Sequence, residues 1–250
     1  MDMDGMTALR VHVAPLGFEV DRIVLPLKKT KADRLWLIIH DNVEESRVSD
    51  TYQERIERAC KKEGVEVGIE RADRMSLFAT IRKTREIIEG EEGNSVFVNV
   101  SSGSKIQAIA CMMACMALNR PNVRPFYAEP DRYAAFDGKQ QSFGLRDMHR
   151  LSTYELQTPK PKLLEALRII ASQDGQRITK KEMARLADER GIIKVNASVD
   201  NYSQARFASL DKNIIAPLER EWGFVSVEKI GRTRWIGMTD DGRNAAEFLA

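Results

Sequence analysis

Hydrophobic positions fall into short unbroken runs that alternate with longer amphipathic ones. Residues 10–14 (RVHVA) read as a strand, and 35–39 (LWLII) are apolar throughout, the pattern of a strand covered on both faces. Residues 65–69, 95–100 (SVFVNV) and 123–127 read as three further strands. Between them lie segments with helical spacing. Residues 18–29 place Val20, Ile23, Val24 and Leu27 on one face, with Pro26 expected to bend or shorten the helix. Residues 50–63 are polar, and 74–89 carry a stripe of Ile81, Ile87 and Ile88. Residues 105–118 are apolar nearly all round, so this helix needs cover on more than one side, from the sheet and a neighbour or from a second subunit. Strands alternating with helices predict parallel βαβ units in a doubly wound α/β sheet, a Rossmann-like domain.

The pattern changes after residue 129. Pro130, Gly138, Gly144, Pro159 and Pro161 mark a break, with a strand or hairpin expected near 141–145 and a linker running to Pro161. Residues 162–172 then turn Leu163, Leu164, Leu167, Ile170 and Ala171 inward. Thr179 and Glu182 have the spacing of a capping box, opening a helix that runs to Arg190 and stops at Gly191. A third helix, about 201–220, is expected to bury Phe207, Leu210, Ile214 and Leu218. Two β runs, 223–230 and 233–238, turn at Gly231-Arg232, and a last helix covers about 240–248. That order predicts a winged helix-turn-helix. The expected domains are 1–150 and 151–250.

Composition narrows the function classes. The 39 Lys and Arg nearly cancel the 37 Asp and Glu, so any nucleic-acid contact must come from a local patch. With 43% hydrophobic residues the chain is too apolar to be disordered. The longest nearly apolar stretch, 106–118, is shorter than the roughly 20 residues of a membrane span. The opening MDMDGMTALR lacks a signal-peptide pattern, so the expected location is cytoplasmic, with no membrane partner. Cys60, Cys111 and Cys115 form no CxxC pair; Cys111 and Cys115 read as small buried hydrophobes. His12, His40 and His149 offer no metal-ligand spacing, so no metal and no cofactor is expected.

The strongest site signal is residues 99–105, Asn-Val-Ser-Ser-Gly-Ser-Lys, where a buried strand meets a helix. There the free N–H groups of the first turn face outward and the helix dipole is positive. Ser101, Ser102 and Ser104, Gly103 and Lys105 make that end receptive to phosphate, although the same serines also suit a turn and a cap. The segment is not a GxxxxGK[ST] loop. Residues 14–18 (APLGF), with Leu16, Gly17 and Phe18, leave the first strand on the same rim. Asp41, Glu44 and Glu45 follow the second strand near it. No catalytic constellation stands out. In the second half Arg206, Ser209, Lys212 and Asn213 are expected to face outward from the third helix as DNA-binding residues. Lys229, Arg232 and Arg234 lie on the ribbon. Residues 151–250 hold 16 basic and 14 acidic residues, and contact with protein instead of DNA stays open.

These pieces together resemble the archaeal CARF-domain transcriptional regulators, the CRISPR-associated Rossmann-fold proteins with a C-terminal winged helix-turn-helix. The resemblance rests on domain order, on VHVAPLGFEVDRIVLPL near the start and on NVSSGSK. The family's second motif usually reads Asn-x-Thr-Gly-Gly-Thr-Lys. Here Asn99, Gly103 and Lys105 match, Ser101 and Ser104 replace threonines, and Ser102 replaces a glycine. The resemblance implies a homodimer, a two-fold symmetric pocket and a cyclic oligoadenylate ligand, most often the tetramer. Leu16, Gly17, Phe18, Asn99, Ser101, Ser102, Gly103, Ser104 and Lys105 would bind it. A ligand-responsive transcriptional regulator that binds double-stranded DNA is the reading implied. The alternatives are a slow ring nuclease, in which Ser101, Ser102 and Lys105 orient the phosphate, or a repressor that senses a small anionic metabolite.

Overall fold

Leu35, Leu37 and Ile39 alternate with Trp36 and Ile38 along one strand, and the two sets enter different hydrophobic clusters. That alternation gives the first unit three layers. The computed structural model describes residues 8–134 and 140–249, with the backbone alone at 43–48. Residues 1–7 of the opening read above for a leader, Gly138 of the break, and the side chains of Glu44 and Glu45 lie outside the described residues. The chain divides into two units, Met1–Leu156 and Gln157–Ala250. Among the described residues no helix is long and apolar enough to cross a membrane.

The first unit is built on β1 (Arg10–Pro15), β2 (Arg34–His40), β3 (Glu66–Ala72), β4 (Ser95–Asn99) and β5 (Val123–Glu129). The sheet order is β3-β2-β1-β4-β5, all parallel. Helices α1 (Asp21–Thr30) and α2 (Val43–Glu63) cover one face, where Ile23, Val24 and Leu27 meet Leu35 and Leu37. Helices α3 (Leu77–Gly90) and α4 (Lys105–Leu118) cover the other, where Ile87, Ile88, Cys111 and Cys115 meet Val13, Val96 and Val98. The three cysteines are free and buried, and burial pushes the Cys60 and Cys111 thiols up to about 11. They pack as apolar groups.

The hairpin expected near 141–145 is present, and residues expected to be linker form a further strand. β6 (Arg132–Tyr133) pairs with β7 (Ser142–Phe143), and β8 (Asp147–Arg150) adds an antiparallel strand at the β5 edge. The polar sequence DMHR hides β8 because an edge strand buries little; its side chains are mostly exposed, and His149 meets Glu129 of β5 at 2.7 Å. Pro26 neither shortens nor ends α1, which runs four residues beyond it.

The second unit consists of α5 (Pro161–Ala171), β9 (Arg177–Thr179), α6 (Lys180–Glu189), α7 (Tyr202–Leu210), β10 (Val225–Ile230), β11 (Thr233–Met238) and α8 (Asp240–Leu249). The hairpin β10–β11 takes β9 on its far edge, giving a winged helix. The capping box forms by half. Thr179 Oγ1 accepts the Glu182 N–H, but the Glu182 carboxylate turns to Arg185 because Thr179 also ends β9. Two π-helical turns, Asp211–Ile215 and Pro217–Glu221, continue α7. Pro217 has no N–H to give an α-helical ladder, and the wider turn bypasses it. The wider turns bury Ile215 as well as Leu210, Ile214 and Leu218, while Phe207 is only partly buried.

His12 sits buried in β1, stacked on Phe97 at 5.0 Å, with Nε2 2.8 Å from Thr30 Oγ1. The Thr30 hydroxyl already donates to the Pro26 carbonyl, so His12 Nε2–H is the donor. Burial lowers the imidazole from its ordinary value to about 3. The unfolded chain therefore takes a proton below about pH 6.5 that the folded chain refuses, and stability falls as pH drops from there toward 3. Urea unfolding at pH 7 and pH 5.5 is expected to show this loss in wild type and a smaller loss in His12→Gln.

Candidate ligand cavity and nucleic-acid surface

In the order β3-β2-β1-β4-β5 the chain reverses direction of travel between β1 and β4. The loops after those two strands flank the point where open α/β sheets bind ligands. Gly17 and Gly103 bring them together backbone to backbone. A Cβ on Gly17 would lie 2.8 Å from the Gly103 nitrogen; one on Gly103, whose φ is +76°, would lie 2.7 Å from Pro15 Cβ. Both positions need glycine for approach, and Gly103 also for its left-handed backbone.

The contact opens onto a cavity of about 730 Å³. Leu16, Gly17, Phe18, Ser101, Ser102, Gly103, Ser104 and Lys105 line it. Asn99 does not. It is buried beneath the loop, where Nδ2 donates to the Arg22 carbonyl at 2.8 Å and Oδ1 accepts the Ser101 N–H, also at 2.8 Å, and the Ser101 hydroxyl. The reason lies in α1. Pro26 has no N–H for the carbonyl four residues back, and Asn99 supplies the missing donor. Asn99 thus stands as a positioning residue, in place of the ligand contact expected from the motif.

The hydroxyls also separate. Ser101 Oγ accepts the Ala128 N–H at 3.0 Å. Ser104 caps α4: its Oγ accepts the Gln107 N–H at 3.2 Å, and Gln107 Oε1 accepts the Ser104 N–H at 2.9 Å. Ser102, 2% exposed, leaves its Oγ without a partner. Lys105 is exposed at the first turn of α4.

Three further cavity residues were not read from the sequence. Arg22 Nε donates to the Ala128 carbonyl at 2.9 Å, and its guanidinium lies 4.7 Å from the Tyr127 ring centre. Nη1 is 3.8 Å from Glu19, and Nη2 is buried without a partner. Glu19 also accepts from the Ser142 hydroxyl, and burial raises its carboxyl above the ordinary value. Tyr127 and Phe18 present aromatic rings to the cavity. Arg22 stands four residues before Pro26, a spacing that could have marked its carbonyl as needing an outside donor. Nearby, ligand atoms of His40, Asp41 and Asp73 lie within 4.8 Å of one another, a set that sequence spacing did not show. His40 Nδ1 already accepts the Arg74 N–H at 3.3 Å.

In the second unit the face of α7 expected to be outward is largely engaged. Arg206 lies 3.7 Å from Asp188 of α6, Ser209 Oγ donates to the Lys194 carbonyl at 2.9 Å, and Asn213 Nδ2 donates to Ser209 at 3.2 Å. Packing of α7 on α6 and the loop after it gives these three partners while leaving them partly exposed, and Lys212 is exposed. On the wing Lys229 stands opposite Arg234 in register, with Arg232 in the turn, all exposed. Like charges directly opposite repel, so this ribbon suits an anionic partner.

Residues 10–133 match the protein family described as HFX_2341_N:-like, N-terminal, and residues 162–250 match the DUF6293 C-terminal winged helix domain. A curated relative, the uncharacterized protein MJ1513 of Methanocaldococcus jannaschii, is 29% identical over 207 residues, 72% of this chain and 61% of that protein. Similar solved structures include Can2 from Sulfobacillus thermosulfidooxidans in complex with cyclic tetra-adenylate. It has a TM-score of 0.41 and 18% identity over 96% of this chain and 63% of that one. Enterococcus italicus Csm6 bound to cyclic hexa-2′-fluoro-hexa-dAMP has a TM-score of 0.44 and 11% identity over 86% of this chain and 56% of that one. The chain therefore spans less than two thirds of the length of each of these relatives.

The Pro26–Asn99 exchange is measurable. Asn99→Ala leaves the Arg22 carbonyl buried and unpaired and is expected to cost about 2–3 kcal/mol in urea unfolding. Pro26→Ala restores a helical N–H at that carbonyl. In that background Asn99→Ala is expected to cost about 1 kcal/mol less, and additive costs would show that the two groups do not share the carbonyl.

Proposed function

We propose that the first unit binds a cyclic oligoadenylate, most simply cyclic tetra-adenylate, and that the second binds double-stranded DNA. The protein would then be a ligand-responsive transcriptional regulator of the CARF type. The observation that carries the ligand half is a pair of unpartnered buried polar atoms, Ser102 Oγ and Arg22 Nη2, on residues that line the cavity at the first turn of α4. A buried donor without an acceptor costs free energy until an anion arrives. Lys105 and the helix dipole favour the same charge. Phe18 and Tyr127 offer flat apolar surface for bases, so phosphate and nucleobase find partners in one cavity. Leu16, Gly17, Gly103 and the Ser101–Ser104 backbone shape the wall.

The homodimer belongs to the same reading. On α4, Ile106 and Ile109 are 37% and 51% exposed beside Lys105, with Met113 and Met116 partly exposed along the same side. This apolar ridge supports pairing of two copies so that a ring with its own two-fold symmetry meets two Lys105 side chains. For DNA, Lys212 of the π-helical turn after α7 and Lys229, Arg232 and Arg234 of the wing are the residues best placed to meet phosphates. Arg206, Ser209 and Asn213 would first have to leave their present partners. Ligand can alter DNA affinity only by as much as its own affinity differs between the two arrangements.

Glu19 favours a second reading, slow cleavage of the ring. Its carboxylate lines the cavity and burial raises its basicity. It would take the proton of a ribose 2′-hydroxyl. That oxygen would attack the adjacent phosphorus and displace the 5′-oxygen, which takes a proton from solvent and leaves a 2′,3′-cyclic phosphate.

A mobility shift on a promoter library, with and without cyclic tetra-adenylate, tests both halves. The expected result is a retained duplex whose affinity changes at least about fivefold with ligand, a change lost in Lys105→Ala and Arg22→Ala. No retention in either condition overturns the DNA half; retention indifferent to every ring size overturns the ligand half. Chromatography of the same incubations with excess protein separates the second reading, which an intact ring removes.

A further inference from the structure

The second unit carries basic charge in a place apart from its wing. Two neighbouring hollows, of about 650 and 280 Å³, share Lys162 and Asn213. Lys194 lines the larger, and Lys160 and Lys212 line the smaller. These four lysines come from the start of α5, the loop after α6 and the π-helical turn after α7. They are far apart in sequence, and the fold gathers them. None has a salt bridge among the described residues.

The acids at the hollows do not cancel them. Glu165 is held by Arg190 at 2.9 Å and by Arg168 at 3.4 Å, so its charge is already met twice. Glu221, exposed at the rim of the smaller hollow, is the remaining carboxylate in the two linings. The lining thus keeps a clear positive excess in a domain whose total is near balance. Four unpaired ammonium groups around open hollows repel one another, and a chain of phosphates relieves that repulsion while releasing its own counterions. Lysine suits this use, since a point charge on a flexible stem follows a backbone without reading bases.

We infer that these hollows are a phosphate-backbone contact for duplex DNA, a second anchor beside the wing. The inference rests on the DNA-binding reading and names where the affinity comes from. Sequence preference would come from the wing and from DNA shape.

The test is fluorescence anisotropy of the full-length chain with a labelled duplex across a salt series. Lys162→Ala/Lys194→Ala is compared with Lys181→Ala/Arg220→Ala, which removes the same charge from exposed positions outside the hollows. Arg232→Ala/Arg234→Ala reports on the wing, and thermal unfolding checks that each variant folds. The expected result for the hollow pair is an affinity loss of about tenfold or more, with the slope of log affinity against log salt reduced by about one for each lysine. The outside pair should leave both nearly unchanged. Equal losses in the two pairs, or no loss in the hollow pair while the wing variant weakens binding, overturn the inference and leave DNA binding standing. A wild-type chain that holds no duplex at any salt, with or without ligand, overturns the DNA reading and this inference with it.

Discussion

A carbonyl without a helical partner organises the first unit. Pro26 sits within α1 and cannot donate to the Arg22 carbonyl, so that acceptor must be met from outside. Asn99 meets it from the end of β4, and the same side chain turns the following loop by accepting from Ser101. Ser101 in turn accepts from Ala128 of β5, and the Ala128 carbonyl takes Arg22 Nε. The circuit returns to the residue where it began. It fixes α1, the β4–α4 loop and β5 against one another at the switch point of the sheet. The cavity is the space above that circuit. Its receptive atoms, Ser102 Oγ and Arg22 Nη2, are those the circuit leaves over.

The division of labour among the serines follows from the same constraint. A loop that must leave a buried strand, cross a glycine contact and start a helix needs several backbone groups satisfied at once. Ser101 and Ser104 do that work, and Gln107 completes the cap. The motif therefore contains both the bland role and the receptive one. Three hydroxyls read from sequence as equivalent become two structural groups and one free one.

What the sequence made legible depended on periodicity and on local chemistry. β2 carries an unbroken apolar run and the other parallel strands short apolar-rich ones, and α4 begins at Lys105, where the Ser-Gly-Ser-Lys pattern places it. The meeting of the Gly17 and Gly103 loops on one rim was legible because both follow adjacent parallel strands. The edge strand β8 was not, since four mostly exposed polar residues carry no apolar alternation. Arg22 and Glu19 were hidden inside an amphipathic helix pattern that treats charged positions as solvent-facing, whereas both are buried, Glu19 against Ser142 and Arg22 against Tyr127 and Ala128. In the second unit helical spacing placed Leu210, Ile214 and Leu218 inward even through the π turns, but the partners of Arg206 and Ser209 come from α6 and the loop after it and carry no local signal. The lysine hollows were invisible for a different reason: their members come from three separate segments.

In the proposed function the cavity is half of a two-fold site for a cyclic, phosphate-rich ring. Isothermal titration of the full-length chain with cyclic tetra-adenylate, beside a linear adenylate of the same length, tests it most directly. A two-fold site saturates at one ring for every two chains and binds the linear chain much more weakly. Saturation at one ring per chain, equal affinity for the linear chain, or no heat at all would contradict it.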